Sequence, residues 1–125
     1  MKKISIFNRR RLCRISIDPK IKHIMDQWVE DKGWTENLNF DQVAARLGVR
    51  KMQISLYTHS VYGLSFPGWR KELRIKEAMR LLLEDKSIPT TLIGEAVGIS
   101  DKSNFRRQFK EIAGCTPLEW RRSKH

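Results

Sequence analysis

The chain has 125 residues, 25 of them Lys or Arg and 14 Asp or Glu, for a formal net charge of +11 and a sequence pI of about 10.1. So large a positive excess points to a polyanionic partner, nucleic acid first, and the length allows one domain or two small lobes with a modest core. No apolar run approaches the roughly 18 residues of a membrane span, and Met1 to Arg14 is basic without the apolar segment of a signal peptide, so a soluble cytoplasmic protein is expected. Cys13 and Cys115 form neither a disulfide framework nor a Zn site and are expected to be free thiols, and His23, His59 and His125 are scattered. Without a Gly-rich phosphate loop, a paired-carboxylate site or a nucleophile elbow, the reading is of a non-enzyme needing no metal or cofactor.

Residues 1–17 read as a basic arm, with six cations and no acid up to Ile15: a flexible arm on DNA, or a frayed end. Asp18 before Pro19 is an N-cap signal, and Ile21, Ile24, Met25, Trp28 and Val29 follow at helical spacing, predicting a helix from Pro19 to Asp31 that Gly33 ends. Its apolar stripe is read as core. Asn39 with Gln42 forms a capping box for a short helix carrying Phe40, Val43, Ala44 and Leu47, stopped by Gly48. A third helix is predicted from Arg50 to Val61, closed by Tyr62 and Gly63. Leu64 to Gly68 reads as a bend, which sets a first region at 18–68. A linker helix at 69–85 then runs from Trp69 to about Glu84, with Leu73, Ile75, Ala78, Met79, Leu82 and Leu83 as its apolar positions.

The last region, 86–125, carries the most specific local pattern. Pro89 opens a helix from Thr90 to Val97, Gly98 turns the chain, and Ser100 is read as the N-cap of a basic helix. Phe105 and Phe109, four apart, turn one face of that helix inward. Lys102, Ser103, Asn104, Arg106, Arg107 and Lys110 fill the other, with the chemistry of contacts to base edges and phosphates. Gly114 ends the helix, and Thr116-Pro117 starts a short turn through Trp120.

The halves repeat. Val43, Ala44, Leu47, Gly48 and Val49 match Ile93, Gly94, Val97, Gly98 and Ile99 at an offset of 50; Gly63, Ser65, Trp69 and Arg70 match Gly114, Thr116, Trp120 and Arg121 at an offset of 51. A repeated unit of helix, Gly turn, helix and Trp anchor predicts an all-α fold of two tandem helix-turn-helix subdomains joined by a long linker helix. Two recognition helices about 34 Å apart would reach successive major-groove segments, so that a monomer would do what a dimer usually does.

From about Phe40 to Arg122 the chain resembles the AraC-type DNA-binding domain of bacterial transcription regulators. The resemblance rests on Ile93, Gly94, Val97, Gly98, Ile99, Ser100, Phe105, Phe109, Lys110, Gly114, Thr116, Pro117, Trp120 and Arg121, with Leu73, Arg74, Ile75, Ala78, Leu81 and Leu82 as a linker-helix pattern. It implies a sequence-specific regulator of transcription, more often an activator, with double-stranded DNA and RNA polymerase as partners. Bases would be read from Met52, Gln53, Ser55 and Leu56 of the first unit and Ser103, Asn104, Arg106 and Arg107 of the second. By residue chemistry Arg106 or Arg107 suits guanine, Asn104 and Gln53 adenine, and Met52 a thymine methyl. Arg50, Lys51, Lys102, Lys110 and Arg121 are the phosphate candidates.

Three residues depart from the family pattern. Gly94 stands where Ala is usual, an expected instability of about 0.5 to 1 kcal/mol; Thr58 replaces an apolar residue, and Leu56 takes a place that is often Arg. The first unit is therefore expected to pack more loosely and read bases less strongly than the second. Two alternatives stay open: a non-specific or architectural nucleic-acid binder, and an interaction module docking through the Pro19–Asp31 stripe. The chain is either a small stand-alone regulator or the DNA-binding piece of a longer one, acting as a monomer or through a separate dimerisation domain.

Overall fold

In a computed structural model, residues 17–123 are described. The arm expected at 1–17 lies outside them except for Ile17, as do Cys13 and His125; Cys115 is a free thiol, half-buried. The described residues form seven α-helices and no strand: α1 Pro19–Glu30, α2 Phe40–Leu47, α3 Lys51–Tyr62, α4 Phe66–Glu84, α5 Thr90–Ala96, α6 Lys102–Ala113 and α7 Pro117–Ser123. A 3-10 turn, Gly33–Thr35, lies between α1 and α2. Two units divide the chain, one of residues 1–33 and 38–69, the other of 34–37 and 70–125.

In the first unit α1 begins where expected, Asp18 Oδ1 accepting from the Lys20 N–H at 2.9 Å with Pro19 at the first position. Ile21, Met25 and Trp28 are buried, so the stripe considered for docking is spent inside the unit. The helix does not end at Gly33. Lys32 takes the left-handed turn, at φ 56°, and Gly33 is needed for space, since a Cβ there would lie 2.3 Å from Trp28 Nε1. The Asn39–Gln42 capping box forms in both directions, at 2.8 and 2.9 Å, and Gly48 closes α2 at φ 71°. Tyr57, from α3, donates to Asp26 Oδ1 at 2.9 Å; burial first, then hydrogen bonds to Tyr62 and Asp26, push its phenol well above the ordinary range.

Thr58 was expected to loosen this unit. It is fully buried, and its hydroxyl donates to the Ser55 carbonyl at 3.2 Å, so that hydroxyl is not left unpaired. Around it stands an aromatic core: Phe66 stacks on Phe40 at 4.4 Å, Tyr62 on Trp69 at 5.2 Å, and Trp28 lies 5.6 Å from Phe66 and 5.7 Å from Trp69.

The bend expected over Leu64–Gly68 is mostly helix. Ser65 caps α4, its Oγ accepting from the Gly68 N–H at 3.2 Å, and Pro67 sits in the first turn, where its missing N–H costs nothing. With 19 residues, α4 is about 28 Å long, and the boundary between the units falls within it, after Trp69.

The second unit buries Ile75, Ala78 and Leu82 of α4 with Ile93, Val97, Ile99, Phe105 and Phe109. Arg74 reaches the 34–37 segment, donating through Nε to Trp34 O at 2.5 Å and through Nη2 to Glu36 O at 2.8 Å. Burial, then the neighbouring Arg70 charge, lower its pKa to about 10, which leaves it charged at neutral pH. Gly98 takes φ 95°, and a Cβ there would stand 2.5 Å from Thr35 O. The N-cap of α6 is Asp101, one residue later than expected: its Oδ1 accepts from the Asn104 N–H at 2.7 Å, while Ser100 is exposed. The C-terminal turn is a two-turn helix, capped reciprocally by Thr116 and Glu119 at 2.9 and 3.2 Å. Trp120 then donates to Met79 O at 3.1 Å.

Candidate nucleic-acid interface

In each unit the second helix after a glycine turn has one face in the core and the other in solvent. On α6, Phe105 and Phe109 are buried, while Lys102, Ser103, Asn104, Arg106, Arg107 and Lys110 are all exposed. Four cations and two small polar side chains thus share one face, clear of the core, where a groove of DNA can reach them. On α3, Ile54, Tyr57 and Thr58 are buried. Lys51, Met52 and Leu56 are exposed, Gln53 and Ser55 half-exposed, and Arg50 stands exposed at the N-cap.

The geometry separates residues that the sequence treats alike. Arg107 Nη2 donates to Asn104 Oδ1, and its Nη1 lies 3.7 Å from Glu111 Oε2, while Glu111 Oε1 lies 3.2 Å from Lys71 Nζ. Asn104 and Arg107 therefore present themselves as one coupled pair, Asn104 Oδ1 accepting from Arg107 and keeping one lone pair for a base donor. Gln53 is likewise engaged. Its Oε1 accepts from the Arg50 N–H at 2.9 Å, which ties the side chain to the start of α3 and leaves that oxygen one lone pair. Lys51 pairs with Asp41 at 3.0 Å and lies 5.2 Å from the Phe40 ring centroid.

Arg121, grouped with the phosphate candidates, is used inside the second unit. Its Nε donates to Leu82 O at 2.9 Å and its Nη2 to Asp85 O at 3.4 Å, satisfying carbonyls at the C-terminal end of α4. Sequence reasoning missed instead a groove of about 300 Å³ beside α6, with an apolar floor of Ile99, Phe105, Pro117 and Leu118 and with Thr90, Thr91, Ser100, Thr116, Lys102 and Arg106 around it. Hydroxyls next to cations suit phosphate oxygens. These residues come from three separate stretches, so only the fold assembles the groove.

A glycine-turned helix pair whose second helix holds a basic face in solvent defines a DNA-binding helix-turn-helix protein. Residues 43–123 match the family model described as "Helix-turn-helix domain". The arabinose operon regulatory protein of Escherichia coli is 30% identical over 95 residues, 76% of this chain and 32% of that protein. The virulence regulon transcriptional activator VirF of Yersinia enterocolitica is 38% identical over 65 residues, 52% of this chain and 24% of that protein. Among solved structures, the C-terminal domain of AraT, a response regulator from Geobacillus stearothermophilus, superposes with a TM-score of 0.75 at 26% identity, covering 86% of this chain and 88% of that one. An AraC-type regulator structure from Chromobacterium violaceum shares the fold, with a TM-score of 0.68 at 23% identity over 85% of this chain and 96% of that one. The chain belongs to the AraC-type helix-turn-helix family of DNA-binding transcription regulators. It spans about a third or less of the length of these curated relatives, and no described helix is long and apolar enough to cross a membrane.

Proposed function

We propose that the protein recognises a specific DNA sequence and activates transcription in the cytoplasm, placing α3 and α6 in adjacent major-groove segments, with RNA polymerase as a further partner. The observation that carries this reading is the solvent face of α6, where Arg106, Arg107, Asn104 and Ser103 stand together, exposed, over a helix anchored by two buried phenylalanines. Support for activation comes from the relatives: one is named a transcriptional activator and another an operon regulatory protein. Lys102, Lys110, Arg50 and Lys51 would set register on phosphates, joined by the hydroxyls of the groove beside α6. Arg121 has Nη1 left for a phosphate.

Selection of bound sites from a random duplex pool, followed by anisotropy titration at fixed salt, tests the reading. The expected product is a two-part site whose halves are centred one helical turn apart, about 10 to 10.5 base pairs, with affinity at least about 10³-fold above random DNA. Equal affinity for selected and random duplex would replace this function with the non-specific binder that a net charge of +11 also permits. Sedimentation of the protein with and without its site distinguishes a monomer spanning both halves from a chain that needs a separate dimerisation domain.

A further inference from the structure

The two recognition helices hold the same place in the repeat, yet they offer a groove different chemistry. At the offset of 51, Met52, Ser55 and Leu56 stand where the second unit has Ser103, Arg106 and Arg107. On α6 these positions are hydrogen-bond donors. On α3 they are mostly apolar: Met52 is 76% exposed and Leu56, four residues on and so on the same face, 41%. The polar neighbours are already engaged, Gln53 Oε1 with the Arg50 N–H and Lys51 with Asp41. The opposite face of α3 supplies the unit's core through Ile54 and Tyr57, so the apolar pair is not needed there.

Resting on the DNA-reading function proposed above, we infer that the first helix-turn-helix reads thymine C5-methyl groups through Met52 and Leu56. The methyl of thymine is the apolar feature of the major-groove base edges, and a thioether with a branched aliphatic chain covers it without asking for a hydrogen bond. The DNA site is then composite. One half is read by methyl contact, weak in salt dependence, and the other by the hydrogen bonds and charges of α6.

Replacing thymidine by 2′-deoxyuridine deletes the methyl and keeps every hydrogen-bonding group. The test takes the selected duplex, substitutes deoxyuridine in each half in turn, and measures affinity for the wild type, Met52→Ala/Leu56→Ala and Arg107→Ala. Both apolar residues are exposed, so their removal leaves the core intact, with circular dichroism as the check. In one half the wild type should lose affinity roughly fourfold per contacted methyl, the equivalent of about 0.8 kcal/mol. That loss should vanish in Met52→Ala/Leu56→Ala and persist in Arg107→Ala. Deoxyuridine duplexes bound as tightly as thymidine ones, or a methyl effect that survives the double substitution, would overturn the inference while leaving a selected, sequence-specific site in place. Failure of the pool to yield any site would overturn the DNA-reading function and this inference with it.

Discussion

Gly94→Ala sets a propensity argument against a packing argument, and the structure decides between them. By propensity the change should stabilise α5 by about 1 kcal/mol, because Ala gives up less backbone freedom on folding. At this site, however, a Cβ would lie 2.9 Å from Ile99 O and 2.9 Å from Phe105 Cγ. The carbonyl is backbone and cannot swing aside, while the ring is buried and packs edge-on against Phe109 at 5.9 Å. Overpacking of this kind costs about 1 to 3 kcal/mol, so the expected net result is a loss of about 1 kcal/mol and a fall in Tm of roughly 4 °C. At the repeat-equivalent positions the first unit has Ala44 and Ile54, both buried, a larger residue in place of Gly94 and a smaller one in place of Phe105. Gly94→Ala/Phe105→Ile should therefore show a favourable coupling of about 1 kcal/mol in a double-mutant cycle, read by urea denaturation followed by circular dichroism. A single variant as stable as the wild type, or more so, would refute the steric account and restore the propensity one.

Arg107→Ala should weaken binding to the selected site by about 1 to 3 kcal/mol and relax preference at one base pair; an equal loss on random DNA, in the same titration, would reassign Arg107 to the backbone. Lys110→Ala should lower the salt-dependence slope of binding by about 1 with stability unchanged. Arg121→Ala should instead cost about 1 to 2 kcal/mol in a urea melt, because it strips hydrogen bonds from two carbonyls at the end of α4; a stable variant with a reduced salt slope would put Arg121 on phosphate after all. The Lys22 hydrogen bond, followed by that from Tyr57, holds the Asp26 carboxyl below its ordinary 3.8. A carboxyl with a lowered folded pKa stabilises above the unfolded value, and that contribution is lost as pH falls through the folded one. Asp26→Asn should accordingly flatten the pH dependence of stability below about pH 4 in urea melts, and an unchanged profile would remove Asp26 from the account.

How much was legible in advance follows the range of the interaction. The Asn39–Gln42 box, the Asp18-Pro19 entry and the glycines at 48, 63, 98 and 114 are local devices, set by residues within four positions of each other, and the chain states them outright. The errors were local too, but of competing signals. Ser65, Phe66 and Pro67 read as a bend because Pro and Gly are adjacent, although a proline in a first turn is harmless once serine caps the helix. Asp101 displaced Ser100 because its carboxylate reaches the Asn104 N–H from the correct register.

By itself the sequence determined a duplicated all-helical reader with a strong positive charge, since periodicity, caps and the repeat are properties of neighbours along the chain. Only the tertiary structure decided which of its cationic side chains are held by the fold and which stand in solvent. Arg121 and Lys110 are equivalent as cations in a sequence, yet one is held by carbonyls some 36 to 39 residues away and the other is exposed. Likewise Gly94 became a packing requirement only when Phe105 arrived above it. Hydrogen bonds and van der Waals contacts fall off within a few ångströms, so their outcome depends on which distant residues the fold brings into range.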